Sequence, residues 1–111
     1  MMGQDRIYLS SPNMGGSELE YVKEAFMKNW IAPLGENVDE FEKQIRQFTG
    51  ANAACAVSSG TGAIHLALDV LGVGEGDLVF CSSLTFVASA NPILYMGATP
   101  VFIDSEMDSW N

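Results

Sequence analysis

Residues 52–71 read NAACAVSSGTGAIHLALDVL: an apolar run, a turn of serine, glycine and threonine, then a stretch rich in alanine, leucine and isoleucine. The run from Asn52 to Val57 suits a buried strand, because a strand covered on both faces reads as continuous apolar sequence rather than as alternation. Ser58-Ser59-Gly60-Thr61-Gly62 is a turn, and Ala63 to Leu71 has the composition of a helix. Gly72, Gly74 and Gly76 make a return loop. Leu78 to Cys81 then reads as a second strand, Thr85 to Met96 as a second helix ended by Gly97, and Thr99 to Ile103 as a third strand. Strand, helix, strand, helix, strand is the order of a parallel α/β sheet with right-handed crossovers. The expectation is therefore a three-stranded parallel unit over 51–111.

Upstream, the period changes. Ser17-Glu18-Leu19-Glu20 has the S-x-x-E form of a capping box, which predicts a helix from about Glu18 to near Asn29. Leu19, Val22 and Phe26 fall on one face of it. Trp30-Ile31-Ala32-Pro33-Leu34-Gly35 is a loop punctuated by proline and glycine. Asn37 is expected to cap a second helix, with Val38, Phe41, Ile45 and Phe48 on its apolar face and Gly50 as its stop. Residues 1–50 are thus a helical segment that precedes the α/β unit.

Fourteen acidic residues against five basic ones give a formal charge of −9. That field disfavours nucleic acid and anionic lipid, both of which need a basic face. All five basic residues lie before Ala51, so a phosphate site in the second half must rely on backbone amides and hydroxyls, or on residues from elsewhere. The start, MMGQDRIYLS, lacks the apolar stretch of a signal peptide, and the nearly uncharged run from Leu78 to Ile103 is broken by Ser, Thr, Asn, Pro and Gly. A soluble, cytoplasmic protein is expected. Cys55 and Cys81 lack metal-ligand spacing and read as reduced, buried thiols. His65 is the sole histidine, which leaves no basis for a metal site or a Ser-His-Asp device.

The turn Ser58–Gly62 carries the sharpest chemical signal. In an open parallel sheet, ligands bind beyond the carboxyl ends of the strands. A helix N-terminus there offers unpaired N–H groups and partial positive charge, while Gly60 and Gly62 let the backbone approach and the Ser59 and Thr61 hydroxyls can donate. The bland alternative, a strand-to-helix turn with small residues for packing, has equal weight on these residues alone. A Walker loop needs lysine where Ala63 stands, and a dinucleotide fingerprint needs glycine where His65 stands. A cradle for a single phosphate fits better than either. Phe86, just past the second strand, could stack on a planar ring, though on spacing alone a core phenylalanine is the favoured reading. Trp30 has the alternative of packing under its loop, and Asp104 that of a loop hydrogen-bond acceptor.

Taken in order, MGGSELEYVKEAFMKNWIAPLGENVDEFEKQIRQFTG, AVSSGTGAIHLALDVLGVGEGDLVFCSSLTFVASANPILYMGATPVFID and SEMDSWN resemble the DegT/StrS-type family of sugar aminotransferases. The segment NWIAPLG resembles the branch that aminates UDP-linked 4-keto-6-deoxy sugars. The resemblance implies part of the large domain of a fold-type-I aminotransferase, with pyridoxal 5'-phosphate as cofactor. It implies that Gly60 and Thr61 hold the cofactor phosphate and that Phe86 stacks on its pyridine ring. By the same resemblance Asn29, Trp30, Ile31 and Ala32 line a nucleotide-sugar pocket, and the protein is a homodimer. The implied reaction moves an amino group from an amino acid, usually glutamate, to a nucleotide-linked keto sugar. The family's cofactor-binding lysine and the aspartate facing the pyridine nitrogen have no counterpart among these residues, so no catalytic residue is assigned. The chain then reads as the front part of a longer enzyme, inactive alone. The competing expectation is a non-catalytic half-domain that holds a phosphate or nucleotide sugar.

Overall fold

A computed structural model describes Tyr8 and residues 10–110. The chain divides between Ala54 and Cys55 into two compact units.

The first unit contains two helices, α1 (Glu18–Met27) and α2 (Glu36–Thr49). The expected capping box does not form: Ser17 makes no side-chain cap. Instead the Glu18 carboxylate accepts from the amides of Gly15 and Gly16. A glutamate in the first turn thus reaches back to the preceding loop, and the same terminus is served by a different oxygen. Helix α2 begins one residue before Asn37, with Gly35 as its N-cap. The Gly35 carbonyl accepts from Val38 and Asp39, each at 3.0 Å. Gly50 closes the helix in the left-handed conformation, at φ 73°, as its position suggested. Neither helix buries a residue, and Phe26, Phe41 and Phe48 on the expected apolar faces remain exposed.

The second unit runs α3 (Gly60–Val70), β1 (Leu78–Ser82), a 3-10 turn (Val87–Ser89), α4 (Asn91–Tyr95) and β2 (Thr99–Ile103). β1 and β2 pair in parallel, Leu78 opposite Thr99 through Ser82 opposite Ile103. The crossover between them carries the 3-10 turn and α4, as parallel pairing requires. The sheet has two strands rather than the three expected. Residues 53–57 alternate between exposed and half-buried, the mark of an extended segment, but no ladder forms there. An apolar run specifies burial; it does not supply a hydrogen-bonded neighbour. The single helix expected from Thr85 to Met96 is split because Pro92 carries no amide donor and starts a new turn. Cys55 is exposed and Cys81 only half-buried, against the expectation of two buried thiols.

The core of this unit is small: Leu68 from α3, Ile93 from α4 and Ala98, with Val73, Val79, Cys81 and Met96 packed around them. Two helix ends place these groups by one device. Gly72 (φ 74°) follows α3, and Val73 donates back to the Leu68 carbonyl at 3.0 Å. Gly97 (φ 76°) follows α4, and Ala98 donates to the Ile93 carbonyl at 3.1 Å. Each is a Schellman closure, whose backbone reversal brings the residue after the glycine onto the helix it has left. Thus Val73 meets Leu68 and Ala98 meets Ile93, so backbone closure and core packing share the same residues.

Candidate functional site

In the second unit, Ser59 is extended (φ −160°, ψ 158°) and its Oγ accepts from the Gly62 amide at 3.1 Å. This is the N-cap by which a serine satisfies a first-turn donor. The Ser59 carbonyl accepts from Ala63 at 3.0 Å. The amides of Gly60 and Thr61 have no partner among the described residues, and they stand at the positive end of the helix dipole. A Cβ on Gly60 would meet nothing within 4 Å. Two unpartnered amides, the Thr61 hydroxyl and an open approach form a donor set that fits a phosphate ester, although no lysine or arginine lies in this unit. The sequence singled out Ser59 as a donor toward a ligand; its oxygen also accepts from the helix amide of Gly62, a role compatible with donation by its O–H.

Phe86 precedes the 3-10 turn in extended conformation and is 78% exposed, so it is no core phenylalanine of this unit. Helix α3 packs against that turn and against α4, and His65 meets the Tyr95 ring edge-on at 5.6 Å. At the carboxyl ends of the strands, the Ser83 hydroxyl donates to Asp104 Oδ1 at 3.4 Å, and the Ser105 amide to the same oxygen at 2.9 Å. Asp104 therefore acts as a loop acceptor that ties β1 to β2.

The remaining candidates belong to the first unit. Asn29 adopts φ 51°, a left-handed conformation that asparagine tolerates better than most residues. Its amide donates to Phe26 at 3.0 Å and that of Trp30 to Ala25 at 2.9 Å, the same Schellman closure with asparagine in glycine's place. The reversal carries the chain into a cavity of about 590 Å³ between the end of α1 and the start of α2. Trp30, Ile31 and Ala32 line it, with Lys28, Gly35 and Glu36. Asn29 does not line it; it turns the chain that does. Lys28 and Gly35 were not singled out from sequence, and the only available signal was the spacing of Trp30 to Gly35.

Lys28 pairs with Glu24 at 2.8 Å and with Glu36 across the loop. Hydrogen bonds to Glu24 and then Glu36 hold its ammonium well above the ordinary lysine value. The Lys28 hydrogen bond in turn holds the Glu36 carboxyl below its ordinary 4.5. A carboxylate with a depressed folded value contributes stability above its unfolded value and loses it as pH falls through the folded one. The raised lysine contributes below its ordinary 10.5 and loses that only as pH rises beyond it. The closure of α1 on α2 should therefore be flat from about pH 5 to pH 10 and weaken below about pH 4.5, a loss that salt makes smaller. A far-ultraviolet circular dichroism titration checks this: Glu36→Gln should remove part of the acid transition, and an unchanged transition would show that the pair contributes nothing.

The fold and these sites place the chain with known proteins. The model of the DegT/DnrJ/EryC1/StrS aminotransferase family matches residues 12–111, and the chain belongs to that family. It is 63% identical over 106 residues to EpsN of Bacillus subtilis, described as a pyridoxal phosphate-dependent aminotransferase. That match covers 96% of this chain and 27% of EpsN. It is 42% identical to the GDP-perosamine synthase of Caulobacter vibrioides, over 96% of this chain and 29% of that protein. A sugar aminotransferase of Streptococcus pneumoniae in its PLP form superposes with a TM-score of 0.83 at 33% identity, across 94% of this chain and 26% of its own. The chain thus spans little more than a quarter of the length of these relatives. It has the fold of part of an aminotransferase. Among the described residues no helix is long and apolar enough to cross a membrane.

Proposed function

We propose that this chain forms the front part of a pyridoxal-phosphate-dependent enzyme that transfers an amino group from an amino acid, glutamate in the first instance, to a nucleotide-linked keto sugar. The observation that carries the reading is the pair of unpartnered amides at Gly60 and Thr61, behind the Ser59 cap. When bound, pyridoxal phosphate supplies the electron sink for the transfer. The chain's own residues bind and orient: Gly60 and Thr61 hold the phosphate, Phe86 lies on the ring, and the loop Asn29–Ala32 receives the nucleotide sugar. In this reading 1–50 contributes substrate contacts, 51–111 contributes cofactor contacts, and the whole enzyme is a cytoplasmic homodimer. The resemblance of NWIAPLG favours a UDP-linked 4-keto-6-deoxy sugar, whereas the similarity to GDP-perosamine synthase adds a GDP-linked sugar as the competitor.

Thr61→Val tests the cradle in the intact enzyme. The substitution keeps volume and removes a hydroxyl donor, so cofactor affinity should fall by about 1–3 kcal/mol. Absorbance titration with pyridoxal phosphate measures it, and unchanged affinity would reduce Thr61 to a first-turn residue of α3. A second reading, a non-catalytic half-domain that holds a phosphate or nucleotide sugar, draws on the same two amides, which suit a phosphate with or without turnover. Amination of a keto sugar by the intact enzyme would dismiss it.

A further inference from the structure

The loop that carries Trp30 is held by a contact that neither sequence nor family membership assigns. The Trp30 indole Nε1–H donates to the Leu34 carbonyl at 2.6 Å, so the side chain closes the loop it belongs to. The next residue, Gly35, makes that closure possible in two ways. Its φ of 145° with ψ of −179° lies in a region open essentially to glycine. A Cβ there would stand 2.2 Å from Trp30 Nε1 and 2.6 Å from its Cδ1, far inside contact distance and against a rigid ring. The Trp30 side chain still leaves the residue 59% exposed, and it lines the cavity at the α1–α2 junction.

We propose that Gly35 is a positioning residue for Trp30: it leaves room for the indole to donate to Leu34, so Trp30 meets a ligand with its ring and not with its N–H. What meets the ring rests on the reading above. A tryptophan whose only donor is engaged can discriminate by stacking and by apolar contact, but not by hydrogen bonding. The cavity's polar selectivity then falls to other groups. Lys28 is held by Glu24 and Glu36, and with Asp39 in the same wall the surroundings are acidic. That wall suits a neutral planar or hydroxylated group, with the diphosphate of a nucleotide sugar kept outside it.

The lock is readable without any ligand. In the unmodified chain, nitrogen-15 NMR should show the Trp30 indole proton exchanging with water at least about fivefold more slowly than that of a free indole, since a closed hydrogen bond must open first. Exchange at the free rate would overturn the lock. Gly35→Ala should restore free exchange while circular dichroism keeps both helices. Retained protection in a folded variant would overturn the role of Gly35. Should that variant lose its helices, Trp30→Phe decides: without the N–H the loop amides of Ile31, Ala32 and Leu34 should exchange faster, and unchanged exchange would overturn the proposal. A separate arm follows Trp30 fluorescence in a Trp110→Phe background on adding UDP or GDP to the intact enzyme. Quenching supports ring contact, whereas a protected indole without quenching would sink the sugar-nucleotide assignment and leave the lock standing.

Discussion

Replacing Ile93 by alanine should destabilise the second unit by about 2–5 kcal/mol, the usual range when a buried isoleucine is truncated and its cavity only partly collapses. Ile93 is 2% exposed, and among the described residues no other large side chain except Pro92 is so completely enclosed. Its neighbours cannot easily close the gap. Ala98 is held against Ile93 by the Schellman closure at Gly97, and the matching closure at Gly72 holds Val73 against Leu68, the other large side chain of the cluster. Both groups are tied to backbone that has little freedom to move inward. A unit with so few buried residues has a small margin, so a loss of this size is a large fraction of its stability. Urea unfolding followed by circular dichroism measures the effect. Leu94→Ala is the control, because Leu94 is 58% exposed and its truncation should change stability by less than about 0.5 kcal/mol. Equal losses at the two positions would mean that the core lies elsewhere.

The features that were legible in the sequence are those set by neighbouring residues. Gly50 and Gly97 marked helix ends because a left-handed residue is needed there and the sequence supplies it. The small turn Ser58–Gly62 marked a helix N-terminus, but α3 starts at Gly60, three residues before the expected Ala63, because Ser59 caps it from within the turn. The parallel order of Leu78 and Thr99 strands followed from an intervening stretch too long for a hairpin and helical in part. What local pattern could not show was competition. Ser17 and Glu18 both offered oxygens to the start of α1, and the longer side chain took the preceding amides. Nor could periodicity give the Asn52–Val57 run a strand partner, since pairing depends on residues remote in the chain. The same holds at the candidate site. Trp30 stood out by type and Asn29 by resemblance, whereas Gly35 acquires its role only once the indole is seen folded back on Leu34. A glycine after a proline-containing loop is otherwise unremarkable text.

Residues 1–111, mixed with pyridoxal phosphate and glutamate, should show no transamination above that of free cofactor. The motivating fact is chemical. The lysines are Lys23, Lys28 and Lys43, and none of them lies in residues 55–111, the unit in which we propose that the cofactor phosphate is held. Two of the three are also engaged, Lys28 by Glu24 and Glu36, and Lys43 by Glu40 at 2.8 Å. A lysine held protonated is a poor nucleophile toward an aldehyde, because attack needs the neutral amine. Lys28 is such a lysine, since its hydrogen bonds to Glu24 and Glu36 raise its value well above the ordinary one. Loose adducts between the cofactor and surface lysines are still expected, as with many proteins, but they should be insensitive to Thr61→Val and Phe86→Ala. Spectroscopic conversion of the cofactor in the presence of glutamate gives the readout. Turnover that exceeds free cofactor and disappears in Thr61→Val would place a working nucleophile within this chain and overturn the assignment of its two units to binding alone.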